Sequence, residues 1–216
     1  MASGVSGTKG NTESSNQPVN NLKALGELPA EYHDDNYTEQ WMKENTNVPS
    51  EKLSDTAKAV RAFTATGFWS IREAQLNNNT ESPAGERGVL IEDYIKQAPQ
   101  WNNSKDLHRG VKLEKDEIKN ILNDIKAGKA IDVNHSGTAS WSTKYNVAEN
   151  FAFTSSMVPV IFRAKKMKNA TPVMHISKHP DEHEVLSSKD NRFKAVKVRK
   201  KKIDGYDGYL IDVEPV

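Results

Sequence analysis

The chain has 216 residues, 36% of them apolar, with 30 basic side chains against 29 acidic ones and a mean hydropathy of −0.75. That allows one modest core, and a net charge of +1 gives no bulk affinity for nucleic acid. Zero cysteines exclude disulfides, thiolate metal sites and thiol nucleophiles; no stretch approaches the roughly 18–20 apolar residues of a membrane span, and no apolar run follows the polar start as a secretory signal requires. The expectation is a protein that acts in a cytosol, its own or that of a host or target cell.

Residues 1–30 are rich in Gly, Ser, Asn and Thr without period and read as a disordered tail or linker; 31–216 read as one folded domain. Aromatics begin with Tyr32, Tyr37 and Trp41. The stretch 50–76 places Leu53, Ala57, Val60, Phe68, Ile71 and Leu76 on two helical stripes joined at Gly67, with Ser54 or Asp55 available as a cap. Residues 77–88 read as a loop, and "VLIEDYIKQAP" as a short helix stopped by Pro99. "DLHRGVKL" is a strand candidate. Ile118, Ile121, Leu122 and Ile125, closed by Gly128, predict an amphipathic helix. Strands follow at 158–164, 171–176, 184–186, 192–198 and 209–215, interrupted by one helical segment at 146–153. Helices first and strands later predict an α+β fold.

Four features carry candidate chemistry. In "HPDEHEVL" (179–186), Glu182 and Glu184 stand two residues apart before an apolar run. If both lie on a strand, alternation points them to one face about 6–7 Å apart. That suits a cationic substrate or a developing positive charge, and equally a wet edge strand. In "GTASWSTKYNVAENFA" (137–152), small hydroxylated residues lead through Trp141 to Ser142 and Thr143, with Asn146 as a candidate cap; the plain reading is a strand end and capping turn. Arg109 interrupts a short apolar strand and is either a surface residue or a phosphate clamp. The basic run 194–202 reads as a half-buried strand with a solvated basic face, or as a patch for phosphates or an acidic partner. His175, His179 and His183 have metal-stripe spacing, but Pro180 breaks any continuous helix, so they read as solvated loop residues and no metal is expected.

In order and spacing, a strand arginine (Arg109), a Ser-Thr strand end (Ser142, Thr143) and Glu-x-Glu (Glu182, Glu184) resemble the R-S-E layout of the mono-ADP-ribosyltransferases. The similarity is to the branch with arginine-modifying bacterial toxins, actin-modifying toxins and phage ADP-ribosyltransferase domains, and it covers about residues 50–216. "AVRAFTATGFWSIREAQL" looks like that family's helix pair ahead of the arginine strand. The stretch 161–198 resembles its strand, loop, glutamate turn and closing hairpin.

The resemblance implies two packed β-sheets forming an NAD cleft beneath an N-terminal helical layer, with NAD as co-substrate and no metal. It implies that Arg109, with Gly110, holds the dinucleotide's phosphate side, and that Ser142 and Thr143 brace the cleft and orient the catalytic glutamate. It assigns Glu184 to the nicotinamide ribose and Glu182 to transfer onto arginine. Three positions depart from the pattern: Lys144 replaces the third hydroxyl, His179 replaces an aromatic in the turn, and Gly110 follows the arginine where some toxins have a base. A second cleft arginine has no clear counterpart, Arg163 being a poor substitute. The chemistry agrees with these roles. Breaking the nicotinamide–ribose bond builds positive charge on the sugar, which a carboxylate stabilises, and a protonated guanidinium needs a second carboxylate to orient it and take its proton.

The expected activity is therefore ADP-ribosylation of arginine on a target protein, with NAD glycohydrolysis as a side activity, in a toxin, effector or phage enzyme. The alternatives are the same fold modifying a nucleic acid through the basic run, and a catalytically degenerate binding module. An immunity or carrier protein is a further expected partner, and no membrane is.

Overall fold

The computed structural model describes residues 34–216, so the tail expected at 1–30 lies outside the described residues. The helical layer comes first. Helix α1 (Asp35–Asn45) is capped by Asp34, whose side chain accepts from Tyr37 N. A single 3₁₀ turn, Ser50–Lys52, feeds α2 (Leu53–Ala62). Because the chain enters already wound, Lys52 occupies the cap position, and Ser54 and Asp55 lie in the first turn instead of capping it.

The expected junction at Gly67 is a π-helical segment, Phe63–Gly67, with Ala65 off helical geometry at φ −115°, ψ −121°. Helix α3 (Phe68–Leu76) follows. Helix α4 (Pro83–Gln97) begins inside the stretch expected as a loop, because Ser82 caps it and Pro83 supplies a preset φ at the first helical position.

The strands are β1 (Leu107–Leu113), β2 (Ala139–Ser142), β3 (Val158–Ala164), β4 (Ala170–Pro172), β5 (Glu184–Ser187), β6 (Phe193–Ile203) and β7 (Tyr206–Pro215). Between them lie α5 (Lys115–Lys126), with a Glu114/Glu117 capping box, and α6 (Tyr145–Ala152), whose cap position is Lys144, so that Asn146 sits inside the helix. The strand expected at 171–176 is cut short at Pro172; the Val173 carbonyl accepts from Ile176 N at 2.9 Å and Ser177 N at 2.8 Å, closing a turn.

All seven strands form one hydrogen-bonded sheet in the order β4-β5-β2-β1-β3-β7-β6, mixed through the parallel β3–β7 pair. The two sheets expected survive as halves of it. β1 pairs with β3 from Leu107↔Ala164 to Leu113↔Val158, yet meets β2 only at His108↔Ser142. That narrow joint lets the two halves twist relative to one another.

Both sheet faces are covered. One face buries Leu107, Leu113, Trp141, Phe162, Val185, Phe193 and Ile211 with Ile118 of α5. The helical layer buries Met42, Val60, Phe63, Ile71, Ile91 and Ile95 against Val173, Ile176 and Leu186. Val185 and Leu186, adjacent on β5, thus enter opposite cores by strand alternation. Helix α6 lays Ala148 and Ala152 on Ile161, Ile203 and Leu210. Each fully buried aliphatic or aromatic side chain contributes about 1.5–3 kcal/mol. Gly110 permits the α6 contact, because a Cβ there would stand 1.7 Å from the Ala148 carbonyl oxygen.

Candidate active site

Glu184 opens β5 directly across from Ser142 and is only 4% exposed. Its Oε1 accepts from Ser140 Oγ at 2.5 Å and its Oε2 from Ser177 Oγ at 3.4 Å. Burial pushes its carboxyl up to about 7; the Ser140 hydrogen bond opposes this, the nearby Glu182 charge adds to it, and Ser177 opposes it again. Ser140 was not singled out in the sequence. It lies two residues before Ser142 and shares its strand face, a signal hidden because β2 is only four residues long.

Glu182 is not on that strand. Residues Pro180–Glu182 form a 3₁₀ turn and His183 is left-handed at φ 50°, ψ 50°, so the alternation expected to align the two glutamates never operates. The turn itself brings Glu182 close to Glu184 and leaves it half-buried, with its carboxyl raised by burial, lowered by His179 and raised by Asp181.

Three consecutive residues hold this turn by three consecutive carbonyls. Lys144 Nζ donates to Asp181 O at 2.8 Å, Ser142 Oγ to Glu182 O at 2.6 Å, and Thr143 N to His183 O at 3.4 Å. Ser142 therefore grips the backbone between the glutamates, while Ser140 grips the carboxylate of Glu184. Behind the turn, Lys178 N donates to Thr64 Oγ1 at 3.1 Å, fastening the segment to the π-helical kink. His179 is exposed, and its N–H donates to Ser177 Oγ at 3.0 Å.

The cationic side of the site is built around the loop between α5 and β2. Arg109, half-buried on β1, donates through Nε to Val133 O at 3.3 Å and through Nη1 to Ser140 O at 3.1 Å. Arg72, from α3, donates to Thr138 O at 2.8 Å and Asn134 O at 2.9 Å on the same loop. Neither guanidinium has an ion pair among the described residues. Burial, then the Arg72 charge, pushes Arg109 down to about 9, with Asp132 opposing; at neutral pH it stays a cation. Arg72 is lowered by burial and raised by Asp132. Two cations backed only by carbonyls make a seat for an anion.

Arg72 is thus a second arginine on this loop, one that the sequence did not single out. Arg163 is unsuited to that place, being bound to Asp212 at 2.8 and 2.9 Å. Gly110 faces α6, one residue from Arg109 and on the other side of β1. Asn134 fixes the loop, donating to Ser187 Oγ at 2.9 Å and Ser188 O at 2.8 Å.

His175 corrects an expectation: it is 3% exposed, packed at 3.8 Å against the Trp41 ring in the helical layer, not solvated on a loop. Among the described residues no cluster of three or more His, Cys, Asp or Glu could hold a metal, and no helix is long and apolar enough to cross a membrane.

No protein-family model and no curated protein matches the chain. Its fold matches solved structures. The Vis toxin, an ADP-ribosyltransferase from Vibrio splendidus, superimposes with a TM-score of 0.63 at 18% identity, over 90% of this chain and 85% of that one. Vis in complex with agmatine gives 0.62 at 19% identity, over 84% and 82%. Exoenzyme S from Pseudomonas aeruginosa, bound to carba-NAD, gives 0.54 at 14% identity, over 82% and 88%. The architecture is the ADP-ribosyltransferase fold.

Proposed function

We propose that the chain is an NAD-dependent mono-ADP-ribosyltransferase that moves ADP-ribose to an arginine of a target protein. The observation that carries this reading is Glu184: a buried carboxylate held by two hydroxyls, with a second carboxylate on the adjoining turn and two arginines, without an ion pair among the described residues, bonded to the loop before β2. A buried carboxyl raised toward neutrality beside a second carboxylate is the kind of group active sites use, which favours an enzyme over a binding module.

In this reading Arg109 and Arg72 hold the diphosphate of NAD, and Glu184 lies against the nicotinamide ribose. The bond between nicotinamide nitrogen and anomeric carbon breaks, its electron pair leaving with neutral nicotinamide, and Glu184 stabilises the oxocarbenium-like sugar. A guanidinium nitrogen of the target attacks the anomeric carbon, and its proton passes to Glu182. Without an acceptor, water takes the same path and NAD is hydrolysed. The carba-NAD bound by exoenzyme S supports the co-substrate, and agmatine, itself a guanidine, bound by Vis supports the acceptor class. The named neighbours are a toxin and an exoenzyme, which supports a toxin or effector role.

The nucleic-acid reading needs the basic run 194–202 beside the glutamates. Strand β6 lies at the opposite end of the sheet order from β5, and the run's Lys201 ammonium is turned onto Tyr145 Oη at 2.9 Å; the guanidine bound by Vis favours a protein acceptor. The test is incubation with adenylate-labelled NAD and agmatine. The expected result is one nicotinamide released per ADP-ribosyl-agmatine formed, and none with Glu184→Gln. Failure of the wild-type protein to consume NAD with or without agmatine overturns the reading.

A further inference from the structure

The surface beside Glu182 continues well beyond the glutamates. A groove of about 330 Å³ runs from Asp181 and Glu182 along α6, past Asn146, Val147, Asn150 and Phe151. Those four helical positions form one stripe, since residues four apart share a face. The two asparagines are exposed and so is Phe151, at 48%. The stripe leads to a second feature at the end of the helix. Phe153 is 47% exposed, Met157 40% and Tyr206 40%, and the Phe153 and Tyr206 rings meet edge-on at 5.9 Å. Large apolar side chains gathered half in water mark an interaction surface.

The charges favour one kind of guest. At the turn the groove has two carboxylates, Asp181 and Glu182, against one ammonium, and that ammonium, Lys144 Nζ, is turned onto the Asp181 carbonyl. A cationic side chain with an aliphatic stem fits: its head meets Glu182 and its stem lies on Val147. The exposed amides of Asn146 and Asn150 can pair with the peptide groups of an extended chain.

We propose that the outer face of α6 is the docking surface for the acceptor protein, binding an extended segment whose arginine enters the groove and whose apolar side chain, about three residues away, seats on the Phe153–Tyr206 patch. The spacing follows from geometry. The helix carries the surface about 10 Å from Asn146 to Phe153 at roughly 1.5 Å per residue, which an extended chain spans in about three residues. The proposal deepens the arginine-transfer reading and rests on it.

The test compares acceptors for the full chain: agmatine, an oligoglycine heptapeptide with one central arginine, and the same peptide with leucine three residues before or after the arginine. One leucine peptide should exceed the plain peptide about tenfold in kcat/KM, the gain from burying one apolar side chain. The double variant Phe153→Ser, Tyr206→Ser should erase that preference while keeping agmatine transfer and NAD hydrolysis within about twofold, which also shows that it folds. A wild-type enzyme that modifies agmatine but shows no leucine preference, or a preference that survives in the double variant, overturns the docking surface alone. Absence of agmatine transfer in the wild type overturns the arginine reading and this surface with it.

Discussion

Ser140 donates its hydroxyl to Glu184 Oε1 at 2.5 Å, and the carbonyl of the same serine accepts from Arg109 Nη1 at 3.1 Å. One residue of β2 thus sets the distance between the proposed phosphate clamp and the proposed catalytic carboxylate. Ser140→Ala removes a hydrogen bond that favours the ionised form, so the Glu184 carboxyl should move further up from about 7. At pH 7 the variant should lose about tenfold in kcat/KM for NAD, and the deficit should shrink as pH rises. Ser140→Thr keeps the hydroxyl and should restore the profile. A pH-independent loss would reduce Ser140 to a packing residue.

The same carboxyl couples activity to stability. Its folded value of about 7 lies above the ordinary 4.5, so the folded state holds a proton that the unfolded chain releases. Its contribution to stability is fully present below pH 4.5 and is lost as pH rises through about 7, amounting to about 3 kcal/mol across that window. Activity needs the ionised form and should rise over the same range. Glu184→Gln removes the buried charge, so it should be inactive yet more stable than wild type at pH 8, by about 2–3 kcal/mol, and nearly equal to it at pH 4.5. Urea unfolding at the two pH values measures this.

Glu182 sits on the turn, half-buried, with its backbone carbonyl held by Ser142. If it serves only the incoming guanidinium, Glu182→Gln should keep NAD hydrolysis within about threefold and lose transfer to agmatine by at least 100-fold, a general-base contribution. Equal loss of both activities would mean that the two glutamates share one task.

Arg72 and Arg109 converge on one loop from a helix and a strand. Removing either should weaken NAD binding more than chemistry. Arg72→Ala and Arg109→Ala should each raise KM for NAD about 10–100-fold, the loss of charge-assisted hydrogen bonds to phosphate, with a smaller fall in kcat. Arg163→Ala, its guanidinium tied to Asp212 away from the loop, should leave KM within about twofold. Steady-state kinetics of NAD hydrolysis separates the three.

The sequence showed what rests on local pattern. The stripe Ile118–Ile125 predicted α5, and the largely apolar run 158–164 predicted a strand. Arg109, Ser142 and Glu184 could be placed on strands from local pattern, but only the resemblance brought them together as a candidate site. Arg72 was not, because an arginine on an amphipathic helix reads as solvated until its distant partners, Asn134 and Thr138, are known. The same-face alignment of the two glutamates, conditional on a strand running through both, does not operate, because Pro180 starts a 3₁₀ turn and His183 reverses the backbone. The early start of α4 was recoverable, since Ser82 followed by Pro83 is a helix-opening signal.

Glu92 of α4 holds the two loops that frame the site. Its Oε1 accepts from Thr138 Oγ1 at 2.6 Å and from Lys189 N at 2.9 Å, and its Oε2 accepts from Ser188 Oγ at 2.6 Å. At 6% exposure no water replaces these bonds freely. Glu92→Leu strands two buried hydroxyl donors and the half-buried Lys189 N–H, and should destabilise the fold by about 3 kcal/mol, each buried stranded group costing about 1–3 kcal/mol before the loops relax. Because Thr138 also carries the carbonyl bound by Arg72, the surviving folded protein should show a raised KM for NAD with kcat little changed. Glu92→Gln retains an acceptor oxygen and should lose about half as much stability, which urea midpoints at pH 7 would resolve.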